Sequence, residues 1–331
     1  MNYFEIPALS NSSLSTFNYD PSYYHKVYIT KEIQDKRESA SLTLGSLVHC
    51  LLLEPEEVQN RYVISKLNPE DKPSGMMLDF VNALLKAEIQ DDLAIDVAYC
   101  KAGYKISKDK VLENFNKPAV QTYYQEQLAA KGKTLVMQNE FDQAVQAANV
   151  ARDNPQWVTI LGTHEWTVHY ELEILMTFRG VLCKSKLDEL RIRKVGDTLF
   201  VKYFDYKTDS QKPVHKYLET FEFWKTYRQM AFYYEAIHSY LAENYPHIKT
   251  TIVSMYLVPI DVVRMKSLIY HVDKSYLQKG WNEITHDIDA LKWHIEHDKW
   301  EFPKHIYDNL ELAGGLSLTC TDYEELSATS V

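Results

Sequence analysis

Cysteine is scarce in this sequence, and its positions carry no metal-binding pattern. The four residues, Cys50, Cys100, Cys183 and Cys320, are scattered, and no Cys-x-x-Cys pair occurs. Disulfide frameworks and structural zinc or iron–sulfur sites are built on characteristic cysteine spacings. We therefore expect buried thiols and no iron–sulfur cluster.

Long apolar runs and a basic leader are also missing. No stretch approaches 18 apolar residues, and the segment from Met1 to Pro7 contains no basic region followed by an apolar one. Membrane helices and secretion signals have these features. The sequence therefore predicts a cytoplasmic protein with no membrane partner.

Positive charge is in deficit overall, with 36 Lys and Arg against 46 Asp and Glu. The net charge of −10 argues against a general nucleic-acid coat protein, because phosphate binding normally requires excess basic residues. Between residues 179 and 194, however, six basic residues and two acidic ones leave a local charge of +4. Both a solvated hairpin and a surface that steers an anionic substrate fit this strip. Its basic residues are Arg179, Lys184, Lys186, Arg191, Arg193 and Lys194.

Hydrophobic periodicity predicts an α+β (α/β) protein. The expected organisation is a single domain over 1–315 with a flexible tail at 316–331. Within the domain we expect a helical insertion at about 67–157 and a core at about 160–300 that includes a buried helix at 39–53. The other predicted elements are a strand at 60–66, a three-stranded antiparallel meander from Glu165 to Tyr206, a long helix at 213–243, strands at 251–259 and 262–272, and a helix at 274–299.

The most informative stretch runs from Gly180 to Lys207. Two apolar runs flank a glycine-containing turn at 194–197, which is typical of a β-hairpin. Because side chains alternate along a strand, Asp205 and Lys207 should share one face and Tyr206 should lie on the other. With Asp188 on the neighbouring strand, this pattern suits a metal ion and a nucleophilic water better than a core.

Several motifs, taken in their order along the chain, resemble the PD-(D/E)XK nuclease superfamily, most closely its RecE-like (exodeoxyribonuclease VIII-type) and RecB-like branch. The resemblance covers residues 8 to 300 and implies a central mixed β-sheet flanked by helices, in a restriction-endonuclease-like core. The Pro-Asp turn that names the superfamily is replaced by Leu187-Asp188, and the middle acidic position is Asp205, not Glu; both variants occur in that branch. The matching pieces are Leu9–Leu14 with Asp20-Pro21-x-x-Tyr24, Gly45–Pro55, Gly180–Lys184 with Asp188, Phe204–Thr208, and Gln229-x-x-x-Tyr233.

The resemblance also implies a set of metal ligands. Asp188 and Asp205 would hold Mg²⁺, for which Mn²⁺ can substitute. The main-chain carbonyl of Tyr206 and the helix residue His49 would be further ligands. A hydrogen-bonded core position remains the alternative for His49.

Further residues would act around the metal. Lys207 would position the water or stabilise developing charge, with a surface salt bridge as its alternative role. Gln229 and Tyr233 would orient the substrate strand or the ligands, or else serve only in helix packing. Glu165 is the candidate auxiliary carboxylate, and Glu171 and Glu173 compete for that place.

The function implied by the resemblance is a Mg²⁺-dependent exonuclease that degrades linear double-stranded DNA from an end. It would work with a single-strand annealing protein in phage or prophage recombination. Relatives of this kind often form rings around DNA, so a homo-oligomer could concentrate positive charge in its channel. The alternatives are a catalytically silent nuclease-fold module that binds DNA ends or a protein, and an endonuclease. The candidate DNA-binding residues are Arg179, Lys184, Lys186, Arg191 and Arg193.

Overall fold

The computed structural model describes residues 3–34, 40–87 and 91–313 of the 331-residue chain. They form two compact units. The first consists of Met1–Ser39 and Asp153–Val331, as far as these ranges are described, and the second of Ala40–Arg152. The expected single domain and the bounds of its insertion stay predictions, and the predicted tail at 316–331 lies outside the described residues.

Strands and helices are numbered along the whole chain. The strands are β1 Tyr62–Ile64, β2 Thr134–Val136, β3 Thr167–Phe178, β4 Val181–Val195, β5 Thr198–Asp209, β6 Thr250–Asp261, β7 Lys266–Ser267 and β8 Tyr270–His271. The α-helices are α1 Asn11–Tyr19, α2 Pro21–Tyr24, α3 Ala40–Leu53, α4 Val58–Arg61, α5 Gly75–Leu85, α6 Asp92–Lys101, α7 Lys108–Phe115, α8 Pro118–Ala129, α9 Gln138–Arg152, α10 Gln156–Leu161, α11 Tyr217–Phe223, α12 Thr226–Asn244, α13 Lys274–His297 and α14 Lys304–Ala313. Short 3-10 helices lie at Tyr3–Glu5, Pro55–Glu57, Pro69–Asp71 and Val214–Lys216, and a π-helical turn at His25–Ile29.

The first unit is organised on a mixed sheet in the order β3-β4-β5-β6-β7, with β8 paired to β6. β3, β4 and β5 form an antiparallel meander, which confirms the predicted hairpins. The second hairpin turns at Gly196, whose positive φ of 58° suits glycine. β5 and β6 are parallel, so a crossover made of α11 and α12 connects them. Helices flank this sheet, as the predicted fold class requires.

The core of the first unit lies between the sheet and the helices α1, α12 and α13. Apolar residues on alternating positions of the strands meet one face of α12, which includes Met230 and Ile237. α13 adds Ile284 and Ile288 to the same cluster. Each such fully buried side chain contributes about 1.5–3 kcal/mol relative to exposure. The packing therefore fixes α12 against β3 and β4, next to the strand residues described below.

The second unit is mainly helical, as predicted. Its apolar cluster includes Phe80, Val81, Leu84 and Ala98, from α5 and α6. α3 packs on α9, and a small parallel pair, β1 with β2, joins residues 62–64 to 134–136. β2 lies within the stretch at about 67–157 that was expected to be helical.

Three predicted elements of the first unit are wrong in their extent. The helix expected at 213–243 is broken, because Lys225 adopts a left-handed backbone with φ of 49° between α11 and α12. The strand expected at 262–272 is reduced to β7 and β8, since Asp261 accepts hydrogen bonds from the main-chain N–H groups of Val263 and Arg264 and turns the chain. The first strand of the meander begins at Thr167, two residues after Glu165.

Two other predictions concern membrane-spanning helices and the burial of the cysteines. Among the described helices, none combines the length and the apolar character needed to cross a bilayer. Cys50 and Cys183 are buried as expected, but Cys100 is exposed. Cys320 lies outside the described residues.

Candidate active site

Strand β5 presents a carboxylate and an ammonium group side by side. Asp205 is fully buried, and its Oδ2 lies 2.7 Å from Nζ of Lys207, which stays partly exposed. The hydroxyl of Tyr203 donates a hydrogen bond to Oδ1 of Asp205 at 3.0 Å. These residues are two apart, so they share one face of the strand. The other oxygen of Asp205, Oδ2, is buried, and its contact is the charged one with Lys207.

Asp188 brings a second carboxylate to this pair from β4. Its Oδ2 accepts a hydrogen bond from the main-chain N–H of Tyr206 at 2.8 Å. Burial and the charge of Asp205 raise the pKa of Asp188 well above its ordinary value. Burial alone would lower the pKa of Lys207, but the charges of Asp205 and Asp188 outweigh it and raise that pKa. Two carboxylates thus share the ammonium group of Lys207, and the excess negative charge favours binding of a cation.

Glu171 adds a third carboxylate from β3. The antiparallel register places it directly opposite Asp188, and the ladder is interrupted at these two residues. Their carboxylate oxygens lie within 4.8 Å of each other, and Lys186 forms an ion pair with Glu171. Glu171 has a left-handed backbone with φ of 50°, an uncommon and costly conformation for a residue other than glycine. Such outliers cluster at functional sites, which is consistent with a role for this residue.

At this interruption the regular alternation of side chains along β4 is broken, so that they change face. Leu187 and Leu190 belong to the same apolar cluster, although on a regular strand an odd-numbered and an even-numbered residue point to opposite faces. The change occurs between them, at Asp188 and opposite the left-handed Glu171. Pairing resumes on both sides, so the rest of the ladder holds the two carboxylates in place.

The three candidates for the auxiliary carboxylate differ in their distance from Asp188. Glu171 lies opposite it, whereas Glu165 is exposed and precedes β3 by two residues. Glu173 lies opposite Lys186, one pair further along the ladder than Leu172. Proximity therefore favours Glu171 over Glu165 for this position.

Helix α12 brings polar side chains to the carboxylates. Nε2 of Gln229 donates a hydrogen bond to the hydroxyl of Tyr233 at 2.9 Å. The ring of Tyr233 packs edge-to-face on Tyr203 at 5.7 Å. Burial and then the charges of Asp205 and Asp188 raise the pKa of Tyr233 well above its ordinary value. The Gln229–Tyr233 pair thus borders the carboxylate cluster, and its proposed role in orienting substrate stays a prediction.

The five candidate DNA-binding residues do not form one free positive strip. Arg179 pairs with Asp289, Lys186 with Glu171, and Arg191 with Glu189. Arg193 is partly exposed near the end of β4. Their contribution to phosphate binding stays a prediction.

Lys184 has a different surrounding from that expected of a phosphate ligand. It is 9% exposed, and Nζ donates hydrogen bonds to the main-chain carbonyls of Tyr3, Phe4 and Ile6 at 2.9, 3.3 and 2.8 Å. Burial lowers its pKa. Lys184 therefore ties the N-terminal segment to β4.

Glu189, on the opposite face of the sheet, was not singled out from the sequence. It is buried, and it accepts a hydrogen bond from the hydroxyl of Tyr206 at 2.6 Å while pairing with Arg191. Because the N–H of Tyr206 holds Asp188, this contact also supports the carboxylate cluster. Tyr203 was missed as well, although its spacing of two from Asp205 is a signal that alternation could have used.

The donor set fits a hard divalent cation. Asp188 and Glu171 offer carboxylate oxygens within 4.8 Å of each other, and Asp205 adds a buried carboxylate beside Lys207. Carboxylate oxygens are the ligands that Mg²⁺ and Mn²⁺ prefer. The cluster could therefore hold a metal ion. His49 lies on α3 in the second unit. Its predicted role as a ligand, and that of the Tyr206 carbonyl, stay predictions.

Comparisons with known proteins do not place the chain in a family. No family matches its sequence. No curated protein matches it either. Among solved structures, it is similar to a candidate exonuclease from Eubacterium rectale, with a TM-score of 0.46 and 12% identity over 96% of this chain and 92% of that chain. A similarity of this size identifies neither a family nor an activity, so any function must be argued from the site.

Proposed function

We propose that this protein is a metal-dependent deoxyribonuclease that hydrolyses phosphodiester bonds of linear double-stranded DNA from an end. The observation that carries the proposal is the meeting of Asp188 and Asp205 beside Lys207, where the β3–β4 ladder is interrupted. The order of motifs in the sequence, from Gly180 to Tyr233, supports the same chemistry.

Each residue of the cluster would have a different role in hydrolysis. A divalent cation, when bound, supplies an activated water and neutralises charge on the phosphoryl oxygens. Asp188 and Asp205 would hold it, and their own positions are set by the Tyr206 N–H and the Tyr203 hydroxyl. Lys207 can donate hydrogen bonds to the attacking water or to a phosphoryl oxygen, which stabilises charge developing in the transition state.

The finer parts of the proposal rest on the resemblance stated from the sequence. These parts are the preference for duplex ends, Mg²⁺ as the metal, and His49 with the Tyr206 carbonyl as further ligands. A single-strand annealing protein as partner and a homo-oligomer are proposed on the same basis. The net charge of −10 makes such an assembly useful, because only the DNA channel then needs to be positive.

The activity is tested with linear and closed circular duplex DNA of the same sequence. An exonuclease releases nucleotides only from the linear form, whereas cleavage of the circle would identify an endonuclease instead. We expect Asp205→Asn and Lys207→Ala to reduce the Mg²⁺-dependent rate by a factor of about 10² to 10³ or more, the effect typical of losing a group that stabilises the transition state.

The matched control is Asp197→Asn, because Asp197 is an exposed acidic residue at the turn of the same hairpin. It should keep the wild-type rate. If Asp205→Asn and Lys207→Ala remain folded and degrade linear DNA as fast as the wild type, the catalytic assignment is wrong.

Metal titration separates an enzyme from the second candidate, a catalytically silent module that binds DNA ends or a protein partner, which the net charge of −10 keeps open. A ligand at 100 times its Kd stabilises the folded state by about 2.7 kcal/mol. We expect Mg²⁺ or Mn²⁺ to stabilise the wild type and not Asp205→Asn. Equal stabilisation of the two would point to a metal site elsewhere.

A further inference from the structure

The turn between α11 and α12 displays two large aromatic side chains to solvent. Phe223 is 56% exposed and Trp224 is 72% exposed. Their rings pack edge-to-face, with centroids 4.8 Å apart and planes at 87°. Single exposed apolar residues are common, whereas contiguous exposed apolar surface is a feature of interaction sites.

Backbone hydrogen bonds and backbone conformation fix the position of this aromatic pair. The N–H of Trp224 donates to the carbonyl of Thr220 at 3.0 Å, and the N–H of Lys225 donates to the carbonyl of Glu222 at 3.0 Å. Lys225 itself adopts the left-handed conformation with φ of 49°, where glycine would be cheapest. The aromatic pair therefore projects from a hydrogen-bonded turn between two helices.

Both helices that meet at this turn lead to the carboxylate cluster. At the start of α11, Tyr217 lies close enough to Lys207 for the two to interact electrostatically, and Thr220 donates a hydrogen bond to Asp209, at the end of β5, at 3.1 Å. α12 carries Tyr233, which borders Asp205. From Thr226, the first residue of α12, to Tyr233, seven helical steps at 1.5 Å each span about 10 Å, or roughly three nucleotides at 3.4 Å per step.

Charged residues of both signs flank the aromatic pair, with one more lysine than glutamate. Glu219 pairs with Lys212, Glu222 pairs with Lys279, and Nζ of Lys225 lies 3.9 Å from Glu283. Lys216 is exposed as well, and Lys225 is 46% exposed. Aromatic faces beside lysines suit a nucleic-acid strand, because bases stack on the rings while the lysines attract the phosphates. A purely apolar partner would gain nothing from the two lysines.

On the basis of the proposed function, we propose that Phe223 and Trp224 form a stacking subsite for bases of the DNA strand that enters the carboxylate cluster. Stacking on an aromatic side chain does not depend on base identity, since every base has a π-face. The subsite would hold the strand about three nucleotides from the reacting phosphodiester.

The test measures binding of a fluorescent duplex with a short single-stranded end by anisotropy, in buffer without Mg²⁺. Trp224→Ala should weaken binding about tenfold, within the range expected for loss of one stacked base. Trp224→Phe should restore most of the affinity. Tyr19→Ala is the matched control, because Tyr19 is 89% exposed at the end of α1, and it should bind as the wild type does.

A second measurement distinguishes stacking from a structural effect. Replacing successive nucleotides of the single-stranded end by abasic sites should weaken wild-type binding at one or two positions, and at those positions Trp224→Ala should lose no further affinity. If Trp224→Ala binds every end as tightly as the wild type, the subsite does not exist. If it changes only the mass of the DNA-free protein in light scattering, the pair is a protein interface and the inference is wrong.

The outcome for the subsite is separate from the outcome for the proposed function. A wild type that degrades linear DNA, together with a fully active and tightly binding Trp224→Ala variant, rejects the subsite alone. A wild type without nuclease activity rejects the proposed function, whatever the binding result.

Discussion

Gly280→Ala should destabilise the protein, although alanine is the better helix former. Gly280 lies on α13 against the first turns of α12. A Cβ at this position would lie 2.4 Å from the carbonyl oxygen of Tyr227 and 2.9 Å from Cβ of Ala231. Ordinary contacts begin near 3.4 Å, so the helices must move apart by about 1 Å.

Two opposing terms decide the magnitude. Replacing glycine by alanine inside a helix gains about 1 kcal/mol. Overpacking a tight core costs about 1–3 kcal/mol, and the upper end applies here because the obstacle is a backbone atom that cannot change rotamer. The free energy of unfolding should therefore fall by about 1–2 kcal/mol. Because Tyr227 lies two residues before Gln229, the displacement should also lower any activity that depends on α12.

Urea unfolding of the wild type, Gly280→Ala and Asn282→Ala measures these terms. Asn282 is exposed two residues further along α13, so Asn282→Ala reports a gain in helix propensity without the clash, less the exposed hydrogen bond that Asn282 accepts from Gln278. Adding Ala231→Gly to Gly280→Ala removes only the 2.9 Å contact and should not rescue the variant. A Gly280→Ala protein that is about 1 kcal/mol more stable than the wild type would refute the close approach of α12 and α13.

Two further predictions concern buried charge. Lys184→Met removes the three hydrogen bonds to the N-terminal carbonyls and should lower the free energy of unfolding by about 2–3 kcal/mol. Hydrogen exchange should become faster at the Leu9 amide, which donates to the carbonyl of Leu182. Unchanged exchange would show that Lys184 does not hold the N-terminal segment on β4. Burial alone would raise the pKa of Asp261, but hydrogen bonds from Arg264 and Val263 dominate and lower it. The stability that Asp261 contributes should be present above its unfolded pKa of about 4 and lost as the pH falls through the lower folded value. The urea midpoint of Asp261→Asn should therefore depend less steeply on pH than that of the wild type in this acid range. Parallel curves would show that Asp261 does not cause the pH dependence of stability.

The parts of the site that follow strand periodicity could be predicted from the sequence. Asp205 and Lys207 share a face because they are two residues apart, and the hairpin turn at Gly196 sets β4 beside β5. The buried helix α3 and the long helix α13 carry clear apolar patterns and lie where they were expected. These features depend on local spacing alone.

The parts that depend on unusual backbone or distant contacts could not be predicted. Glu171 and Lys225 adopt left-handed backbone conformations, which are usually found at glycine. Because neither residue is glycine, the sequence predicts neither the change of face in the sheet nor the break between α11 and α12. In the sequence, Lys184 belongs to a strip of basic residues, but in the structure its partners are carbonyls about 180 residues earlier in the chain. Such pairings arise only from the tertiary fold.

The parallel pairing of β5 with β6 has a consequence for the order of folding. An antiparallel hairpin can close over a few residues, but β5 and β6 meet only after the chain between residues 209 and 250 has crossed back over the sheet. Closing such a loop makes non-local strand pairing slow. Glu171, Asp188 and Asp205 all lie on the β3–β4–β5 meander, so they can meet as soon as it forms, whereas Tyr233 lies in the crossover and should join them late. A partly folded chain would then carry the acidic residues without the side chains of α12 that surround them in the folded protein.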